Sequence, residues 1–460
     1  MRHSLDGRNR IARTSTGAVW SSVLALPVVC GILGGIPAPA NSGSAPESTL
    51  DLLQTAVDTP LAQVIRRVLV DHPQVIQAFA RLQAAHERDR QSLAVLLPQA
   101  TLQASGTTSR TSAPGGASDA DPRDVGITVT QAIFNRQALT AREQIDPYID
   151  AAVQEWHAVR QNVVMGVIDT VVSLLQAREV ARLADNNAAV TQRHLEATQA
   201  RFQVGELTKT DVSQALARAE SARASAIQAD NDVMQAVAKY RESVGDDPPA
   251  DIQVPHARDL LLEAPLEALL ALADQRPGVQ AVRLRLRVAQ LDVAVEQATH
   301  WPTVALTADA SRGWHQTGTA TVVGEPVDRQ SLSLGVTLPI YSGGMTESRV
   351  EQMRQQRDQQ QAALDQEQRQ ARREVEQGRL SLHTTRASLS ALTASVAAAR
   401  DALTGAEQEF RVGSRTLLDV LDAQHQLFTA ETNLARSRSG LIQSEYRLLH
   451  AVGRLLPAPR

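Results

Sequence analysis

Proline is absent from Tyr148 to Asp247 and again from Ile340 to Leu456. Both runs are rich in Ala, Gln, Arg, Glu and Leu, which favour helix. Each is interrupted near its middle by one glycine-centred turn, Val204-Gly205-Glu206-Leu207-Thr208 and Val412-Gly413-Ser414-Arg415-Thr416. The pattern predicts two helical hairpins. At ~1.5 Å per residue, arms of roughly 40 to 60 residues reach roughly 60 to 90 Å, the length of a rod and too long for a compact domain.

The chain also reads as a tandem duplication. His72-Pro73-Gln74-Val75 aligns with Arg276-Pro277-Gly278-Val279, and Leu97-Pro98-Gln99-Ala100-Thr101-Leu102 aligns with Trp301-Pro302-Thr303-Val304-Ala305-Leu306 at the same separation. Arg201-Phe202-Gln203-Val204-Gly205 then matches Glu409-Phe410-Arg411-Val412-Gly413, Asp211 matches Asp419 and Gly245 matches Gly453, at a slightly longer separation. A small insertion between equivalent halves accounts for the drift. Two copies are too few for a solenoid, so the duplication predicts pseudo-symmetry within one assembly. The division that follows is an N-terminal segment 41–70, a first repeat 71–245, an inter-repeat segment 246–275, a second repeat 276–453 and a tail 454–460.

In the last arm Val420, Leu427, Leu434, Leu441, Leu448 and Leu455 recur every seventh residue, beside a parallel register from Leu421 to Leu456. A strict seven-residue repeat implies supercoiling. A third register, Ala423, Ala430, Ser437, Ser444 and Ala451, is small throughout and permits close helix approach. Taken alone, this arm also fits a long antiparallel coiled coil in a soluble scaffold.

The strands argue against that scaffold. Leu332, Leu334, Val336, Leu338 and Ile340 alternate with small or polar residues, as does Val125-Gly126-Ile127-Thr128-Val129, and two more strands are expected at Ala100 to Ser109 and Thr303 to Ala310. Their lengths approach the ~9–11 residues of a tilted outer-membrane strand. The Gly-, Ser-, Thr- and Asp-rich stretches Gly106 to Asp124 and Ser311 to Gln330 read as loops. Four strands cannot close a barrel, and an open edge in lipid leaves amides unsatisfied. Closure therefore demands several chains; three supply twelve strands and a matching helical tube.

Arg2, Arg8, Arg10 and Arg13 precede an apolar run from Ala18 to Ile36 and then Ala38-Pro39-Ala40, which predicts an export signal over 1–40 cut before Asn41. The single cysteine, Cys30, falls inside it, preceded by a poor lipoprotein sequence, so no disulfide and no lipid anchor are expected. No other stretch approaches the ~20 apolar residues of a spanning helix. Lysine occurs only at Lys209 and Lys239, and neither completes a GK[ST] phosphate loop, so energy must come from a partner. With 46 basic against 50 acidic residues and scattered aromatics, nucleic acid is not an expected partner. No HExxH or nucleophile arrangement stands out, and neither enzyme, cofactor nor metal is expected. A periplasmic adaptor also carries long hairpins, but one flanked by lipoyl-like segments, not two duplicated ones with strands.

From about Val57 to Leu455 the chain resembles the TolC family of outer-membrane channel proteins. The stretches that carry the resemblance are Gly335-Val336-Thr337-Leu338-Pro339-Ile340-Tyr341-Ser342-Gly343-Gly344 and Val412-Gly413-Ser414-Arg415-Thr416-Leu417-Leu418-Asp419-Val420-Leu421-Asp422-Ala423. The resemblance implies an α+β membrane protein: a homotrimer with a twelve-stranded transmembrane β-barrel, four strands per chain, set in outer-membrane lipid and continued by a long α-helical coiled-coil barrel across the periplasm. It implies a passive duct served by a periplasmic adaptor and an inner-membrane ABC transporter or other pump. The second stretch looks most like channels of type I protein secretion, such as the outer-membrane component of cyclolysin export; multidrug efflux is the alternative.

Individual residues carry over. Asp419 and Asp422 match aspartates that line the periplasmic entrance, where crowding would raise carboxylate pKa values and attract cations; a helix-capping role fits Asp419 as well. Arg415 matches an arginine that holds the entrance closed, with Thr210 and Asp211 as partners, although a solvated turn arginine would look the same. The family's latch has a tyrosine and a glutamine where this chain has Phe410 and Ala200, so two of its hydrogen-bonding groups are absent. Val204, Gly205, Leu207, Thr208, Val412, Gly413, Ser414 and Thr416 match the tips where adaptors dock, a role compatible with ordinary helix capping. Pro339, Gly343 and Gly344 suit a strand-to-helix transition.

Overall fold

The computed structural model describes residues 59–456 apart from 115, 258, 259 and 315–325. The export signal, its cut at Ala40/Asn41, the segment before Thr59 and residues 457–460 lie outside the described residues.

Two short helices open the described chain, α1 (Pro60–Asp71) and α2 (Pro73–Ala94). Each begins with proline, whose missing N–H costs nothing in the first turn, and each is capped from the preceding side chain, Thr59 or His72. Strands β1 (Gln99–Gly106), β2 (Ser109–Ala113), β3 (Gly116–Ala120) and β4 (Arg123–Asn135) follow. A short helix α3 (Arg136–Glu143), capped by the Asn135 side chain, leads into the first hairpin, α4 (Ile145–Gln203) and α5 (Lys209–Val244). The second half repeats the order with α6 (Leu266–Ala273), α7 (Pro277–Gln297), β5 (Thr303–Trp314), β6 (Val327–Thr337) and a second hairpin, α8 (Met345–Arg411) and α9 (Leu417–Ala451).

The sheet runs in the order β1-β4-β5-β6, antiparallel throughout. Its register sorts the side chains. Gln99, Thr130, Thr307 and Ser333 stand in one cross-strand row, and Thr101, Thr128, Asp309 and Ser331 in another on the same face. Asp309 accepts hydrogen bonds from Thr128 (2.7 Å) and Ser331 (3.2 Å) along that polar row. The rows between them, Ala100-Val129-Ala308-Leu332 and Gln131-Leu306-Leu334, put most of the aliphatic side chains on the opposite face.

Three expectations about the strands are corrected. The stretch Gly106 to Asp124 is not simply loop: β2 and β3 form a separate two-stranded hairpin within it, because Thr suits extended backbone well and Pro114 follows β2 in a turn. Strand β5 runs on to Trp314, beyond Ala310, and β6 begins at Val327, so the second connection is shorter than Ser311 to Gln330. Strand β6 ends at Thr337, short of Ile340, since Pro339 has no N–H to give the ladder. Gly343 (φ +66°) and Gly344 (φ +84°) then take left-handed conformations that start α8.

The helical arms are unequal, 59 and 36 residues in the first hairpin and 67 and 35 in the second. On α9 the repeat Val420, Leu427, Leu434, Leu441 and Leu448 is buried throughout. Gly378 of α8 permits the close approach of Leu448, whose Cδ1 would lie 3.4 Å from an added Cβ. The main core gathers α1, α4, α6, α7, α8 and α9 with the connection after Tyr240, around Val167, Val171, Leu174, Leu269 and Val279. Helix α4 supplies a correction here. Contrary to the sequence reading, the helical stretch Arg136–Gln203 contains a window long and apolar enough to cross a bilayer, but 61% of that window is buried in this core.

Candidate functional site at the hairpin turns

The two hairpin turns are built alike. Gly205 (φ +85°) and Gly413 (φ +80°) end α4 and α8, positions where a β-carbon would be strained. Glu206 N–H donates to the Arg201 carbonyl (3.0 Å) and Ser414 N–H to the Glu409 carbonyl (2.9 Å), so orphan helix carbonyls are satisfied. Ser414 Oγ adds a bond of 3.0 Å to the same carbonyl. Each following helix opens with a reciprocal cap: Thr208 with Asp211, and Thr416 with Asp419. Val204 and Val412 stand 72% and 79% exposed, presenting bare apolar tips.

These caps settle where two carboxylates point within the chain. Asp419 Oδ2 accepts from the Thr416 hydroxyl (2.6 Å) and N–H (3.0 Å). Those bonds, side chain first, hold its pKa below the ordinary carboxylate value within the chain. Asp211 is held low in the same way, the Thr208 backbone bond contributing most. Asp422 is engaged elsewhere, accepting from Arg218 Nη2 of the other hairpin at 2.7 Å. Arg415 pairs with Glu409 at 2.5 Å across its own turn; its expected partners Thr210 and Asp211 are not its partners here. Thr210 and Asp211 lie in the first turn of α5, where Asp211 serves the cap.

Contacts absent from the sequence reading join the hairpins just inside the turns. The Arg201 guanidinium lies 5.1 Å from the centre of the Phe410 ring. Leu195, Ala215, Ala219, Leu417 and Leu421 form a small core there, with Phe410 packed against it. Further along, buried Gln424 donates to buried Asn187 at 3.2 Å. The signal for these ties is weak in sequence. Asn187 and Gln424 are polar residues at mostly apolar buried positions, and only the pairing of the two hairpins sets them opposite each other.

The profile of the family described as "Outer membrane efflux protein" matches residues 64–246 and 269–454, both repeats. The chain belongs to that family. Among relatives of this outer membrane efflux protein, BepC of Brucella suis, an outer membrane efflux protein, is 32% identical over 72% of this chain and 72% of its own length. The outer membrane protein TolC of Vibrio cholerae is 26% identical over 86% of this chain and 91% of its own. Protein CyaE of Bordetella pertussis is 26% identical over 67% of this chain and 65% of its own. The CmeC outer membrane channel of Campylobacter jejuni has the same fold, with a TM-score of 0.77 at 18% identity over 92% of this chain and 91% of that one. The protein is accordingly a non-enzymatic conduit of the TolC family, placed in the outer membrane and extending into the periplasm.

Proposed function

We propose that three copies of this chain assemble head to tail, β1 of one pairing with β6 of the next, into a twelve-stranded barrel continued by a helical tube. The observation that carries this reading is the segregation of the strand register, Thr101-Thr128-Asp309-Ser331 on one face and chiefly aliphatic rows on the other, in a sheet with two unpaired edges. A sheet of that kind is satisfied when one face lines water, the other meets lipid and each edge finds a neighbour. The segment 1–40 is the signal that exports the chain.

The helical end is the periplasmic entrance. Its tips, exposed Val204, Gly205 and Thr208 and half-buried Leu207 with exposed Val412, Gly413, Ser414 and Thr416, receive the hairpins of a periplasmic adaptor. Asp419 and Asp422 from three chains form the acidic entrance. Arg415 exchanges between Glu409 and the Thr210–Asp211 side of the other hairpin as the entrance opens and closes, as suits a charge-assisted bond at the surface. Pro339, Gly343 and Gly344 bend the chain from barrel into tube.

The cargo is a protein delivered by an inner-membrane ABC transporter and its adaptor, as in type I secretion; the Gly413 to Ala423 stretch and the likeness to CyaE support this branch. The second reading, small-molecule efflux, is favoured by the greater identity to the efflux protein BepC. Deleting the gene and comparing culture supernatants by mass spectrometry separates the two. Loss of one or a few large proteins, restored by a plasmid copy, establishes secretion; an unchanged supernatant with raised drug sensitivity establishes efflux.

A further inference from the structure

A cavity of about 350 Å³ lies between α4, the start of α7 and the chain after α9, lined among others by Gln154, His157, Arg160, Gln275, Gln280 and Arg454. Neither aspartate nor glutamate lines it. Arg160 is only 6% exposed. Its guanidinium sits 4.6 Å from the centre of the Trp156 ring, and among the described residues no carboxylate or hydrogen-bond acceptor reaches it. The Trp156 indole N–H is likewise buried without an acceptor. Arg454, exposed at the rim, also has no ion pair among the described residues.

Burying a cation without a counter-charge is costly, and an arginine cannot escape by losing its proton. The contrast with Arg276 nearby is informative, since that partly buried arginine is held between Glu367 at 2.7 Å and Glu374 at 2.5 Å. His157 does not add to the positive charge. Burial first, and then Arg160, push its pKa down to about 4, so at neutral pH it is an uncharged imidazole. What remains is a recess whose lining carries no carboxylate, with one guanidinium on its wall and another at its mouth.

We propose that this cavity is a binding site for a small oxyanion, a phosphate or carboxylate group, gripped by Arg160 and covered by Arg454. The guanidinium fork matches two oxygens of such a group, and the amide side chains of Gln154 and Gln275 supply further donors. The ligand stabilises the junction of the two repeats, where α4, α7 and the end of the second repeat meet. The site is independent of what the channel carries.

The test is equilibrium dialysis of the full-length channel in detergent against radiolabelled inorganic phosphate, at fixed ionic strength, with unlabelled citrate as a carboxylate competitor. Saturable binding near one phosphate per chain is expected, displaced by citrate, with affinity falling tenfold or more in Arg160→Gln and several-fold in Arg454→Gln. Circular dichroism checks that the variants fold. If Arg160→Gln does not fold, the exposed rim variant decides. Absence of saturable binding to the wild-type channel, or affinity unchanged in Arg454→Gln or in a folded Arg160→Gln, overturns the proposal.

Discussion

The Arg201 guanidinium covers the Phe410 ring at 5.1 Å, tying the last turn of α4 to the last turn of α8. The same ring packs against a small apolar core of Leu195, Ala215, Ala219, Leu417 and Leu421, so a cation–π contact and apolar packing join the two hairpins here. Such a contact is less dependent on salt and pH than an exchangeable hydrogen bond.

Phe410→Ala removes both the ring and its packing. A cation–π contact at a partly exposed site contributes about 0.5 to 1 kcal/mol, which corresponds to a two- to fivefold larger open population. The expected result is a higher open probability in planar-bilayer recordings and greater uptake of large antibiotics. Phe410→Leu, which keeps apolar volume but no ring, should fall between; equal behaviour of Leu and Phe would show that packing alone holds the hairpins.

His157 makes the fold sensitive to acid. Its pKa is near 4 in the folded chain and near 6.5 when unfolded. Above 6.5 both states are neutral. As pH falls through 6.5 the unfolded chain binds a proton that the folded chain refuses until about 4, so stability falls across that window. With allowance for solvent screening, the loss is about 1 to 2 kcal/mol. The midpoint of thermal unfolding, followed by circular dichroism from pH 7 to pH 4, should drop, and His157→Gln should flatten the profile.

Gly453 ends the second repeat at φ +73°, and an added Cβ would meet Arg276 Cβ at 2.9 Å and Cα at 3.0 Å. Relief would have to come from the arginine held between Glu367 and Glu374. Gly453→Ala is therefore expected to destabilise by about 1 to 3 kcal/mol, visible as a lower unfolding midpoint. Gly205→Ala has the backbone strain without the collision and should cost less.

The sequence is most informative where a pattern is local and repeated. The two proline-free runs, Gly205 and Gly413, and the α9 repeat from Val420 to Leu448 each carry their meaning within a few turns of chain. The β2–β3 hairpin was missed because Ser109 to Ala120 has the small polar composition of a loop, and pairing does not require apolar alternation. The within-chain contacts of Asp422 and Arg415 are illegible for another reason. A helix fixes which residues share its face, but the axial offset between two packed hairpins decides whether Asp422 meets Arg218, and no single segment encodes that offset. Local chemistry did foretell the Asp419 cap, which Thr416 three residues earlier makes available.

The sheet's two edges are unlike, β1 on one side and β6 on the other, so in the assembly proposed above copies would join head to tail and no pair of them would be complete. If the ring holds three chains, as proposed, every ring needs three sound β1 edges and three sound β6 edges. A copy defective at one edge, made alongside an equal amount of the normal chain, would leave only about one ring in eight intact under random mixing. Edge lesions should therefore behave as dominant alleles, whereas lesions at the cavity of Arg160 or at Gly453, which weaken only their own subunit, should behave as recessive ones.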